Sequence, residues 1–316
     1  KPFGSFKLYY DLYSKDLGMS VPGLDTLVSE QDRSNRMWYQ NLENHMVLSK
    51  NTFYLDPFKL EADLSYQSNH RQLVTRNQTA VDMLLNTFSM DIKGRYDFNA
   101  YSDLIIGAQG VLKENENFDA PNRVLPDHQV RDLGVFGLIQ HQFSDRLKAQ
   151  AGMRWDHRNI AIPEQPLSGH AHDGQDGDHH DEHLEPLNRD YQDVSASLGA
   201  TWRLNSNILL RGNLASGYRT PNVAELTQEG LHGNRYEAGN RNLSSQTNYE
   251  ADLSFHYHCC HALLDISGFY YHINDYIYLA PAGEETAEGL DIYRYGQNHA
   301  RLYGGEVTYE VRPVKW

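Results

Sequence analysis

Apolar and polar residues alternate strictly along much of the 316-residue chain, and helical periodicity is nearly absent. In LKAQAGMRW (147–155), Leu147, Ala149, Ala151, Met153 and Trp155 share one face, while Lys148, Gln150, Gly152 and Arg154 take the other. The same rule holds in 58–67, 90–98, 194–204 and 249–258. Successive side chains of an extended chain point to opposite sides, so a period of two predicts strands with one apolar and one polar face. Tight connections are expected at 54–57, 97–102, 143–146, 204–207 and 258–261. Long polar ones are expected at 16–36, 68–79, 114–129, 161–190, 219–246 and 281–290. The pattern gives about twelve strands, many of about ten residues or more, in up-and-down order.

Half-apolar strands suit either a soluble sandwich or a membrane barrel. A sandwich uses strands of about five or six residues and has no reason to put its long loops at one end. A transmembrane barrel needs roughly 9–11 residues per strand and alternates short inner turns with long outer loops. The polar faces here carry charges on nearly every strand, as a wet lumen allows. Trp155, Trp202, Tyr218, Tyr276 and Tyr278 fall near strand ends, where interfacial girdles lie. Gly94, Ala108, Ala151 and Ala200 on apolar faces would underfill a sandwich core, whereas lipid tails fill around them. The fold class expected is therefore all-β, an antiparallel up-and-down transmembrane β-barrel.

Composition narrows the partners. A formal charge of −14 argues against nucleic acid and fits a cation-handling surface. No apolar run reaches the roughly 18 residues of a spanning helix. Cys259 and Cys260 are the only cysteines and are adjacent, so no long-range disulfide framework exists. Their turn, YHCCH, reads as two incidental thiols. No nucleophile elbow, phosphate loop or HExxH motif points to an enzyme, and no resident cofactor is expected.

One region carries a more specific pattern. Residues 216–250 contain Tyr218-Arg219-Thr220-Pro221-Asn222, Glu225-Leu226, Gly230-Leu231-His232, Arg235-Tyr236-Glu237-Ala238-Gly239-Asn240, Asn242-Leu243 and Asn248-Tyr249-Glu250. This succession resembles a stretch in the barrels of TonB-dependent outer-membrane receptors. Residues 133–158, with a Gly-x-Arg-aromatic-Asp segment, and 269–279 resemble neighbouring strands of that family. Read locally, YRTPN is a strand end: Arg219 leaves the strand and Pro221 starts a turn beside Asn222. The motif identifies a scaffold and not a cargo. The resemblance implies a barrel of about 22 strands around an N-terminal plug, and contact with the TonB energy-coupling complex. On that reading 1–316 is a partial barrel, with about twelve of those strands present and the plug outside this chain. Alone it is not expected to seal. Residues 161–190 and 219–246 become extracellular loops, lipid and lipopolysaccharide become neighbours, and the location is the outer membrane of a Gram-negative bacterium.

The candidate chemistry is metal capture. GHAHDGQDGDHHDEH (169–183) holds five of sixteen histidines, interleaved with five carboxylates. Neutral imidazole and carboxylate oxygen suit zinc, copper or nickel. The expected ligands are His170, His172, Asp173, Asp178, His179, His180, Asp181 and His183; the plainer reading is a solvated acidic loop. His232 is a candidate substrate contact or a turn cap. His256 and His258, on a polar face near a tight turn, either line a wet lumen or pass a metal inward, with His272 on the next strand. The function expected is TonB-dependent uptake of a metal, zinc before an iron chelate, because the resemblance extends to the zinc-uptake branch with its His-rich loops. A ferric-siderophore or haem receptor is the near alternative. A self-contained twelve-stranded outer-membrane barrel, such as a hydrolase or an autotransporter pore, is the alternative of another class.

Overall fold

The computed structural model describes residues 3–19, 38–75, 78–166, 183–232, 235–287 and 289–312. In chain order the elements are β1 (Gly4–Gly18), β2 (Trp38–Leu55), β3 (Phe58–Thr75), β4 (Gln78–Asn99), β5 (Ser102–Asn117) and β6 (His128–Gln142). Then come β7 (Leu147–Ile162), β8 (Gln165–Pro166), β9 (His183–Leu184), β10 (Leu187–Arg203), β11 (Ile208–Arg219) and α1 (Val223–Thr227). The last are β12 (Glu229–His232), β13 (Arg235–Ala238), β14 (Gln246–His258), β15 (Ala262–Glu285) and β16 (Asp291–Val311). Twelve of these sixteen strands are 12 to 24 residues long, and they pair antiparallel, each with its neighbour in order. The other four are short pieces within two long connections. All five tight turns fall where alternation put them.

Strand register carries the face assignment from one element to the next. Ala151 sits opposite Leu198, Leu198 opposite Leu214, Leu214 opposite Ala251 and Ala251 opposite Tyr270. That face stays open: Met153 is 62% exposed, Leu198 56% and Leu253 65%. Burying a leucine is worth roughly 1.5–3 kcal/mol, so a strand face that leaves its leucines exposed is built for an apolar surrounding. The buried apolar cluster lies elsewhere, under the long loops, and comprises Val130, Ile160, Ile162, Leu184, Tyr191, Val223, Leu226, Leu243 and Ile277.

Two expected long loops are corrected. Strand β3 runs to Thr75 and β4 starts at Gln78, with Thr75 opposite Gln78, and β15 continues to Glu285. In 68–75 polar residues occupy both faces and Val74 is buried, so alternation stops while ladder hydrogen bonds carry the strand on. Tyr218 is also corrected: it is no girdle residue, because it lines the polar-side cavity with Arg154 and Asp156. Among the described residues β1 pairs only with β2, and β16 pairs with β15 and, near its start, in parallel with β13, so the described sheet does not close.

Candidate functional site

The 219–246 connection folds back over the mouth as a brace. Arg219, the last residue of β11, places Nη1 2.9 Å from both Glu225 carboxylate oxygens. Asn222 caps α1: its Oδ1 accepts from the Glu225 amide at 2.8 Å, and the Glu225 carboxylate accepts from the Asn222 amide at 2.9 Å. This reciprocal box satisfies helix donors that would otherwise be buried without partners. Leu226 is wholly buried. Gly239 lies against the helix end, where a Cβ would sit 2.7 Å from the Thr227 nitrogen and 2.8 Å from the Gln228 nitrogen. Further along, the Leu243 carbonyl accepts from Tyr191 Oη and Arg189 Nη2, both at 3.2 Å. Gln297 of β16 closes the brace, accepting from the Ser244 amide at 3.0 Å and donating to the Asp275 carbonyl at 2.9 Å. Asp275 has φ of 52°, at the bulge where β15 shifts register.

The foot of the His-rich segment is anchored beside that brace. Strands β8 and β9 pair Gln165 with Leu184 and Pro166 with His183. Leu184 enters the buried cluster. Gln165 is buried and its Oε1 accepts from the Asp127 amide at 2.8 Å and from Arg123 at 3.0 Å. Nearby His128 is buried, and that burial pushes its imidazole below the ordinary histidine range, against the opposing pull of the Pro126 carbonyl.

Beneath the brace, the polar face carries a self-paired network. Arg154 Nε bonds Asp156 at 2.7 and 2.9 Å, and its Nη1 reaches Gln109 at 2.6 Å, which in turn donates to Asp91 at 2.6 Å. Arg158 bonds Asp132 at 2.5 and 2.7 Å and Thr220 at 2.8 Å, tying wall to brace. Gly134 makes this possible, since a Cβ there would collide with Arg154 and Asp156. The groups line a cavity of about 390 Å³.

Of the expected site residues, His170, His172, Asp173, Asp178, His179, His180 and Asp181 lie outside the described residues. His183 is described, exposed at the hairpin foot. His232 pairs opposite Arg235 in the β12–β13 hairpin. His256 and His258 are two apart on β14; the His256 Nδ1 lies 2.7 Å from Asp265, while its Nε2 is buried without a partner. Among the described residues no three His, Cys, Asp or Glu side chains converge as a metal requires. The brace and the Arg–Asp network were missed as assemblies in the sequence. Their signals were Asn222 three residues before Glu225, the capping-box spacing, and Arg154 two before Asp156 on one strand face.

An up-and-down sheet with an exposed apolar face, a polar face and loops packed at one end is the wall of a membrane-type β-barrel. The family model for the TonB-dependent receptor-like β-barrel matches residues 3–316, and the chain belongs to that family. Its members are receptors and transporters. No curated protein matches the chain in sequence. Among solved structures, one similar to it is a double mutant of the Serratia marcescens haemophore receptor HasR in complex with its haemophore HasA and haem, at TM-score 0.69 and 14% identity. That likeness covers 98% of this chain and 50% of the other. The copper transporter OprC follows at TM-score 0.65 and 16% identity, covering 89% and 46%. The ferric-catecholate import receptor Fiu from K12 E. coli, in its closed form, gives 0.63 and 11%, covering 99% and 53%. The likeness is one of fold, and the chain spans about half the length of the solved structures it matches.

Proposed function

We propose that this chain is the barrel portion of a TonB-dependent receptor in the outer membrane of a Gram-negative bacterium, that it captures a metal at its long-loop end, and that the metal is zinc. The observation that carries the reading is the hairpin of β8 and β9. It pairs Pro166 with His183, the described residues on either side of 167–182, beside the brace. Loop histidines and aspartates, His170, His172, Asp173, Asp178, His179, His180, Asp181 and His183, form the first contact for the ion. His232, on the brace, and His256 and His258, at the far end, are further contacts along the path. Energy comes from the TonB complex through segments outside this chain, with lipid and lipopolysaccharide around the wall. The alternative, a ferric-siderophore or haem receptor, is supported by the cargoes named for Fiu and HasR. Calorimetry of the full-length receptor with zinc and with ferric chelates separates the two. Zinc binding is expected, lost when the five loop histidines become alanine, and weakened as pH falls through about 6.5, since imidazole must be neutral to ligate. Zinc binding that survives those substitutions sinks the loop assignment, and binding of a ferric chelate alone sinks the zinc reading.

A further inference from the structure

The turn between β14 and β15 holds both cysteines of the chain, and folding gives one of them a partner. Cys259 is partly buried, Cys260 is exposed, and both are free thiols. The last ladder pair of this hairpin is His258 with Leu263. Beyond it the Cys259 amide donates to the Ala262 carbonyl at 2.9 Å, which leaves Cys260 and His261 as a two-residue tip. There the Cys260 Sγ lies 2.8 Å from the His261 Nδ1 and 4.0 Å from its Nε2. The tip is held from both sides. The His258 amide donates to the Asn207 carbonyl of the neighbouring turn at 2.8 Å, and the Arg312 amide donates to the His261 carbonyl at 2.9 Å. Both flanks are this chain's own strands, and the tip stands beyond the end of the wall, not on its polar face.

Thiolate sulfur favours soft ions, copper(I) among them, and it also takes zinc. Ligand count separates the two. A structural zinc ion asks for four donors, and among the described residues no three His, Cys, Asp or Glu side chains converge. Copper(I) is satisfied by two or three soft donors. The Cys260–His261 contact brings one sulfur and one imidazole nitrogen to the same point, on a backbone that is already fixed. An ion entering there displaces the shared hydrogen and needs only rotations of two exposed side chains. Cys259, the next residue, brings a second sulfur. A disulfide between adjacent cysteines is strained, so the two sulfurs are poor partners for each other and stay open to an ion.

We propose that Cys259, Cys260 and His261 form a binding site for a soft monovalent metal ion, copper(I) in class, at the short-turn end of the barrel. The Cys260 sulfur and the His261 Nδ1 are its first two ligands, and the Cys259 sulfur is the third. Binding exchanges thiol protons for the ion, with no change of oxidation state. The site lies at the opposite end from the histidine loop and uses sulfur where the loop uses carboxylate, so it stands or falls independently of the zinc reading.

The test uses the full-length receptor, reduced and free of oxygen, with copper(I) delivered from a coloured copper(I) chelator and silver(I) as a redox-inert second probe. One copper(I) ion per receptor is expected to pass from chelator to protein, with thiolate-to-copper charge-transfer absorption. Loss of a mere supporting partner of a metal ligand costs roughly 10–100-fold in affinity, so Cys260→Ser and His261→Ala should each weaken binding by about tenfold or more. Both substitutions lie in an exposed tip and spare its backbone hydrogen bonds. Alanine at the five loop histidines is expected to leave copper(I) binding unchanged, and zinc is expected not to displace the ion. Silver(I) should protect Cys260 from a maleimide in the unaltered protein, which reads the same contact without any substitution. The proposal is overturned if the chelator keeps its copper, or if the two thiols are already oxidised in receptor isolated from cells. It is equally overturned if Cys260→Ser or His261→Ala binds as tightly as the unaltered protein, if zinc displaces the ion, or if silver(I) leaves Cys260 open to the maleimide.

Discussion

Gly239→Ala tests whether the brace is a packed unit. The added Cβ would stand 2.7 Å from the Thr227 nitrogen and 2.8 Å from both the Gln228 nitrogen and the Leu226 carbonyl carbon. Carbon contacts are comfortable at about 3.5–4.0 Å, so the gap must open by roughly 0.7 Å or more. None of those atoms is the far end of a flexible side chain. They are backbone, held by Gly239 N–H to the Gln228 carbonyl at 2.6 Å and Asn240 N–H to the Glu225 carbonyl at 2.8 Å. Overpacking of this kind costs roughly 1–3 kcal/mol, and weakening the two hydrogen bonds adds about 1 kcal/mol. A total of roughly 2–4 kcal/mol is a local opening about 30- to 700-fold more populated, at tenfold per 1.4 kcal/mol. Hydrogen exchange of the full-length receptor reads it directly. Amides of 222–243 should exchange faster by that factor while those of 147–160 stay as they were. Gly137→Ala is the control, because its Cβ would meet only Ile106, at 3.9 Å. Unchanged exchange over 222–243 in Gly239→Ala, or acceleration spread evenly over the strands, would refute the packed brace.

Two further outcomes are expected. Asn222→Ala removes one half of the capping box and should destabilise the brace by about 1 kcal/mol, whereas Asn222→Ser should retain most of that stability; exchange at Glu225 and Leu226 distinguishes them. His128 supplies a pH dependence: burial depresses its folded-state pKa, so the unfolded segment binds the proton first, at about 6.5. The loop it anchors is therefore fully stable above that pH and loses stability as pH falls through the folded-state value. Exchange over 115–128 measured from pH 7 to 5 should accelerate beyond the intrinsic rate, and His128→Gln should abolish the trend.

Strands and tight turns were legible because one face of each strand meets an apolar medium and the other meets water, which writes a period of two into the residues. Where polar residues occupy both faces, as in 68–75, the same strand loses its signature, and a loop is expected in its place. The brace was harder to read. A helix of five residues spans little more than one turn, so it has no periodicity to show. Its stability comes from a capping box and from contacts with Ile160, Tyr191 and Ile277, far away in the chain. Arg219 is expected as a strand end, and it is the last residue of β11, paired with Glu225.

The central claim is a membrane-spanning barrel with its long connections outside the cell and its short turns inside. It is tested most directly on intact cells by labelling with a maleimide too large to cross the outer membrane. The full-length receptor would carry Cys259→Ser and Cys260→Ser, and either Glu185→Cys, beside the hairpin foot, or Asn205→Cys, in a tight turn; both positions are exposed. The account predicts labelling of the Glu185 variant on intact cells and of the Asn205 variant only after the outer membrane is broken. Labelling of the Asn205 variant on intact cells, or equal labelling of both, would contradict it.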